Sequence, residues 1–205
     1  MYPGERFNSI THLVGAGLAL VGVVALVVVA GLHGDPRRIV SVSIYGASLL
    51  LLYTTSTLYH SLRGRAKRVF QHLDHTAIYL LIAGSYTPFT LVVLRGRLGW
   101  GLFAAVWTLA GLGILQEFRR DKGHRILSIV IYMAMGWLAV VALRPLVEAI
   151  GAGALAWLIG GGRRRRNQCL RYSRRRRLPV FHGIWHLFVL GGTASHYVTI
   201  LKFVS

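Results

Sequence analysis

Apolar residues run in seven blocks along this chain, covering about 10–32, 39–60, 72–94, 98–117, 125–143, 146–162 and 181–204. Most reach the roughly 20 residues that carry a helix across the hydrocarbon core of a bilayer. The breaks between them fall at Asp35-Pro36, Gly64, Arg95-Gly96-Arg97, Asp121-Lys122-Gly123 and Arg144-Pro145, where charge, glycine or proline stops an apolar helix. The pattern predicts an all-α polytopic membrane protein of seven transmembrane helices. It forms one domain over 1–205, because no stretch outside the spans is long enough to fold separately. Ile10 to Leu32 is too long for a signal-peptide core and lacks a small-x-small cleavage site, so it reads as a retained span.

Within the blocks, three details stand out. Gly84, Ser85, Thr87 and Pro88 interrupt the third, and Pro88 frees a backbone carbonyl, predicting a kink packed against neighbouring helices. Gly15, Gly17, Gly111, Gly113, Gly191 and Gly192 would let helices approach closely. The sixth block, Leu146 to Gly162, has 17 residues and includes Glu148, which makes a short or disrupted helix at the lower limit for crossing.

Composition agrees with the pattern: 54% of the 205 residues are hydrophobic, yet the net charge is +18. On so apolar a chain that charge belongs to basic loops and contacts with membrane lipids, not to a nucleic-acid-binding surface. Of the 24 Lys and Arg, 18 fall on the side of the N-terminal tail and the loops after spans two, four and six, against 6 on the other. The N-terminus is therefore expected in the cytoplasm and the C-terminus outside, in a multi-pass protein of the cell inner (plasma) membrane. The one cysteine, Cys169, excludes an internal disulfide and cysteine-based zinc motifs.

That orientation gathers the polar residues of the spans. His60 ends span two on the cytoplasmic side, Asp74 begins span three there, and His182 and His186 begin span seven. Four residues apart on a helix, His182 and His186 share a face with Cβ atoms about 6 Å apart. Three imidazoles, from His60, His182 and His186, with a water would complete a tetrahedral zinc site, with Asp74 beside it. Ser56 lies one turn before His60 and could hydrogen-bond within the site, while Glu5, Asn8 and His12 enter span one from the same side. A lone HxxxH pair is a weak signal, and His33, His72 and His124 are read as residents of the headgroup layer. Ionisable groups meeting at one membrane depth are costly, which favours a functional reading.

Glu5-x-x-Asn8-x-x-x-His12, Ser56-x-x-x-His60, Asp74 followed by Ile78 to Pro88, and His182-x-x-x-His186 with His196 beyond together resemble the hemolysin III family, the bacterial branch of the progestin and adipoQ receptors. The resemblance covers nearly the whole chain in order. It implies seven helices and a zinc ion near the cytoplasmic face, with His60, His182 and His186 as ligands, Asp74 beside the water and Ser56 next to the first ligand. It also implies kinship with alkaline ceramidases, which hydrolyse a lipid amide. One stretch departs from the family: Gly160-Gly161-Gly162 and the nine arginines between Arg163 and Arg177 stand where an apolar sixth span should continue. The run reads as a headgroup-facing basic loop, or as a reading frame lost and regained.

Three functions follow. One is a zinc-dependent hydrolase of a lipid amide or ester substrate, in which zinc brings the pKa of a water to about 7 and the catalytic carboxylate is Asp74. No glutamate lies between His182 and His186, so the base must come from another helix. Another is a receptor or regulator of membrane state whose zinc clamps helices together. A pore-forming cytolysin ranks last, since the spans carry no continuous polar faces. For topology, a reporter fused after Ser173 is expected in the cytoplasm and one after Ser205 outside; agreement on the first alone would remove the seven-span arrangement.

Overall fold

The structure is a computed structural model that describes residues 5–118, 124–151 and 180–204. Seven helices occupy them: α1 (Arg6–Leu32), α2 (Pro36–Ser61), α3 (Gly64–Pro88, continued by a π turn over Phe89–Val93), α4 (Gly96–Glu117), α5 (His124–Val141), α6 (Leu143–Gly151) and α7 (Val180–Phe203). Among the described residues there is no strand. Within the same residues, α1, α2, α3 with its π turn, and α4 are each long and apolar enough to cross a membrane, and α5 with α6 makes a fifth, bent candidate. The protein is an all-α polytopic membrane protein, as the pattern predicts.

Local chemistry explains where the helices start. Asp35 caps α2, its carboxylate accepting from the Arg37 amide at 2.9 Å, and Pro36 occupies the first turn, where a missing N–H costs nothing. α3 begins eight residues before its apolar block. Arg65, Ala66, Lys67, Arg68 and Gln71 are good helix formers, so they extend the helix beyond the apolar core. Asp74 therefore sits about three turns into α3 instead of at its start. Between α5 and α6 the chain bends by 57° at Ala142, slightly before the expected Arg144-Pro145 break. Pro145 falls in the first turn of α6, a position that tolerates proline. The expected sixth span is described only to Gly151, and the arginine run at 163–177 lies outside the described residues.

α2 and α3 form the centre of the bundle. Of their apolar stretches 56% and 61% is buried, against 22% in α1 and 28% in α4. α1 packs against α2 and α7, and α4 against α3 and α5. The outer faces carry Leu18, Val21 and Val24 on α1, Leu112 and Leu115 on α4 and Trp137 on α5, all exposed apolar side chains that suit lipid. At Pro88 the helix continues through the π turn, which absorbs the lost amide without breaking the span. Thr87 and Thr90 add hydroxyl bonds to the carbonyls of Ala83 and Tyr86, at 3.0 and 3.1 Å.

Two of the expected close approaches are present. A Cβ on Gly15 would come within 2.8 Å of Leu190 and 2.9 Å of Tyr53, and one on Gly113 would enter the Tyr79 ring. Gly17 and Gly111 face open space instead. At Gly84 α2 and α3 pack closely, because the Ser48 side chain occupies the space a Cβ would need. Gly84→Ala should therefore destabilise the bundle by about 1–3 kcal/mol through overpacking, whereas Gly17→Ala should be neutral or stabilise by up to about 1 kcal/mol. Thermal unfolding in detergent measures both; equal melting temperatures for the two variants would contradict the packing described.

Candidate metal centre

Three helices bring their histidines together at one end of the bundle. His12 of α1, His60 of α2 and His186 of α7 are 3%, 2% and 2% exposed. The ring centres of His60 and His186 are 4.8 Å apart at an interplanar angle of 71°, and those of His12 and His186 are 3.8 Å apart at 59°. His12 also meets the edge of Tyr53, at 5.2 Å. Two imidazoles bound to one tetrahedral ion through bonds of 2.0–2.1 Å hold their ring centres about 5 Å apart, so His60 and His186 have a spacing that suits a shared zinc.

His182 precedes His186 by one turn on the continuous helix α7, and its side chain lies outside the described part of the structure. Among the described residues no three His, Cys, Asp or Glu side chains meet closely enough to hold a metal ion. The donors that are described, two buried imidazoles, are of the kind zinc prefers.

The contact with Glu5 selects one tautomer of neutral His60. Its Nδ1 lies 2.6 Å from Glu5 Oε2. An ionised carboxylate offers only lone pairs, so a neutral His60 carries its proton on Nδ1 and keeps the lone pair of Nε2 for a ligand. Glu5 itself is held by Lys67 Nζ, at 3.0 Å from Oε1, and by Asn8 Nδ2, at 3.2 Å from Oε2. Burial pushes the Glu5 carboxyl up, but the hydrogen bonds from Lys67, His60 and Asn8 outweigh it and bring its pKa below the usual value. Lys67 Nζ also stands 5.0 Å over the ring of Tyr59, which touches His60 at 4.5 Å between ring centres. Nearby, the Ser9 and Ser61 hydroxyls, 2.6 Å apart, join the start of α1 to the end of α2.

Asp74 reaches the same region from α3. Its carboxylate lies near the Ser56 hydroxyl, one turn before His60. Ser56 is 2% exposed, while Asp74 is half-buried. Of the residues expected at the site, the structure thus places Ser56, Asp74, His60 and His186 at one end of the bundle and adds Glu5, Asn8 and His12 to them. His33 and His72 are exposed. The side chain of His124 lies outside the described part.

A second polar cluster was not anticipated from the sequence. Glu117 accepts from Ser128 at 2.9 Å and pairs with His75 Nδ1 at 3.5 Å, and Gln116 donates to Ser128 at 2.9 Å. The Tyr132 hydroxyl donates to the His75 carbonyl at 3.3 Å. The cluster ties α3, α4 and α5 together next to Asp74. Its sequence signal was the adjacent Gln116-Glu117 pair ending an apolar span, with Ser128 facing it from the next.

Comparison with known proteins agrees with the resemblance seen in the motifs. The family model described as "Haemolysin-III related" matches residues 2–197. "Hemolysin-3" of Bacillus cereus is 42% identical over 207 residues, covering 98% of this chain and 91% of that protein. "Hemolysin-3 homolog" of Bacillus subtilis (strain 168) is 40% identical over 198 residues, 96% of this chain and 92% of that protein. The human "Monocyte to macrophage differentiation factor" is 24% identical over 208 residues, 96% of this chain and 83% of that protein.

Proposed function

The chain belongs to the haemolysin-III-related family, and on that premise we propose that it is a resident multi-pass protein of the plasma membrane that holds zinc and hydrolyses an amide or ester bond of a membrane lipid. The observation that carries the reading is the meeting of buried His60 and His186 from separate helices, 4.8 Å between ring centres, with the Ser56–Asp74 pair one turn away. His60, His182 and His186 would hold the ion. Zinc so held supplies Lewis acidity and lowers the pKa of water towards neutrality.

The residues of the chain then do the proton work. Asp74 takes a proton from the attacking water as its oxygen bonds to the substrate carbonyl carbon. The same carboxyl returns that proton to the nitrogen or oxygen of the leaving group as the scissile bond breaks. Ser56, which lies near Asp74, would hold the carboxylate in place for both transfers. The exposed apolar faces of α1 and α4 leave the lipid phase as the source of substrate.

A second reading has its own support: His60 and His186 are each only 2% exposed, as in closed structural zinc sites. In that case the metal clamps α2 and α7 in a receptor or regulator without turnover. Either way, purified protein should carry about one zinc per chain, and His60→Ala or His182→Ala should lose it and lower the melting temperature, because the ion joins separate helices. Elemental analysis of purified protein checks this, and full zinc in His182→Ala would remove the assignment.

Asp74→Asn separates the two readings. It should keep the zinc and lower release of fatty acid from lipid amides or esters by at least about 100-fold, the usual contribution of a general base. Zinc-loaded wild-type protein that releases fatty acid from none of a panel of such lipids would leave only the clamp.

A further inference from the structure

We propose that Glu5 is a positioning residue for the metal site, fixing the tautomer and direction of His60 through its Nδ1. The proposal rests on the zinc reading above and adds a residue to it. The distance of 2.6 Å between Glu5 Oε2 and His60 Nδ1 is short, as for a hydrogen bond to an ionised acceptor. A carboxylate on the far nitrogen of a ligating imidazole holds the ring plane and makes the other nitrogen a better donor to metal.

Glu5 has little freedom to be anywhere else. Lys67 of α3 holds Oε1 at 3.0 Å, and Asn8, one turn into α1, holds Oε2 at 3.2 Å. The Ser9–Ser61 contact, at 2.6 Å, docks this end of α1 on the end of α2, and the Ser9 hydroxyl also reaches the Thr57 carbonyl at 3.4 Å. Three helices thus contribute to aiming one carboxylate at one imidazole. An ion pair whose purpose was only to join α1 to α3 would need Lys67 and Glu5 alone. Here the same carboxylate turns its second oxygen toward a ring that is 2% exposed and faces His186. The spacing Glu5-x-x-Asn8 serves the same end, since a side chain one turn later on α1 supports the carboxylate from below.

The test measures metal binding, not turnover. Full-length protein in detergent is titrated with zinc against a competing chelator, and its cobalt(II)-substituted form is examined by visible absorption. Glu5→Ala should weaken zinc binding by about 10–100-fold and alter the cobalt bands, because the ring loses its support. Glu5→Gln keeps an oxygen acceptor for Nδ1–H but no charge, so it should fall between alanine and wild type. Lys67→Met removes the interhelix ion pair but leaves Asn8 on the carboxylate and the carboxylate beside His60, so it should weaken zinc binding by less than Glu5→Ala does. If Glu5→Ala proves unable to fold, Glu5→Gln decides: wild-type affinity and an unchanged cobalt spectrum overturn the proposal. Lys67→Met as damaging as Glu5→Ala overturns it too, since the ion pair would then be the whole effect. Wild-type protein that binds zinc while Glu5→Ala binds it equally well removes the positioning role and leaves the zinc site standing. Wild-type protein that binds no zinc removes both.

Discussion

A polar group inside hydrocarbon has no water to bond, so every one of them must find its partner in the protein. The rest of this structure follows from that constraint. Backbone groups answer it by closing on themselves as helices. Short hydroxyl side chains answer it on their own helix: Thr55 bonds the Leu51 carbonyl at 2.8 Å, Thr57 that of Tyr53 at 2.7 Å, and Thr199 that of Ser195 at 3.0 Å. Such residues sit within a span without asking anything of a neighbour. Longer side chains reach further: Tyr45, Tyr53, Tyr86 and Tyr197 each bond a group on another helix, and so help decide which helices touch.

The tyrosines show how. Tyr53 hydrogen-bonds the Thr193 hydroxyl, and Tyr45 donates to the Thr193 carbonyl at 3.4 Å, so α2 is fastened to α7 from two points. Tyr197 of α7 donates to the Gly22 carbonyl of α1 at 3.1 Å, and Tyr86 of α3 to the Met135 carbonyl of α5 at 2.7 Å. Glycine makes room for the rings: a Cβ at Gly22 would come within 2.9 Å of Tyr197, and one at Gly15 within 2.9 Å of Tyr53. Ring and glycine together set the distance between α1, α2 and α7. That distance places His12, His60 and His186 in contact.

The histidine layer and the carboxylates around it are parts of one arrangement. Glu5 meets His60 at one side, and Asp74 meets Ser56 at the other. Both carboxylates are supplied by helices other than α2, which carries His60. An isolated helix could not shield or orient these groups, and the packing that does so is also what makes their burial tolerable. Next to Asp74 the Glu117–His75–Ser128 cluster repeats the solution among α3, α4 and α5, with a partly buried carboxylate shared between an imidazole and a hydroxyl. Membership of the haemolysin-III-related family, with relatives in bacilli and a distant human one, fits a bundle organised around such a layer.

The linear pattern determined the class of fold, because length and apolarity alone decide whether a segment can cross a bilayer. It also marked His60, His186, Asp74 and Ser56, since ionisable and hydroxyl groups at the ends of spans are conspicuous against leucine and valine. It could not set helix ends to the residue. α3 starts at Gly64 because polar helix formers extend it past the hydrocarbon, and α5 turns at Ala142 because Pro145 suits a first turn. Nor could it tell Gly15 and Gly113, which receive aromatic rings, from Gly17 and Gly111, which face open space. A helix has several faces, and sequence does not say which one meets a neighbour. For the same reason only the tertiary structure decided that Glu5 bonds His60, 55 residues away, and that the ring of His12 lies on that of His186. Those partners are joined by the rotation and depth of separate helices, quantities that depend on packing across the whole bundle and are written in no single segment.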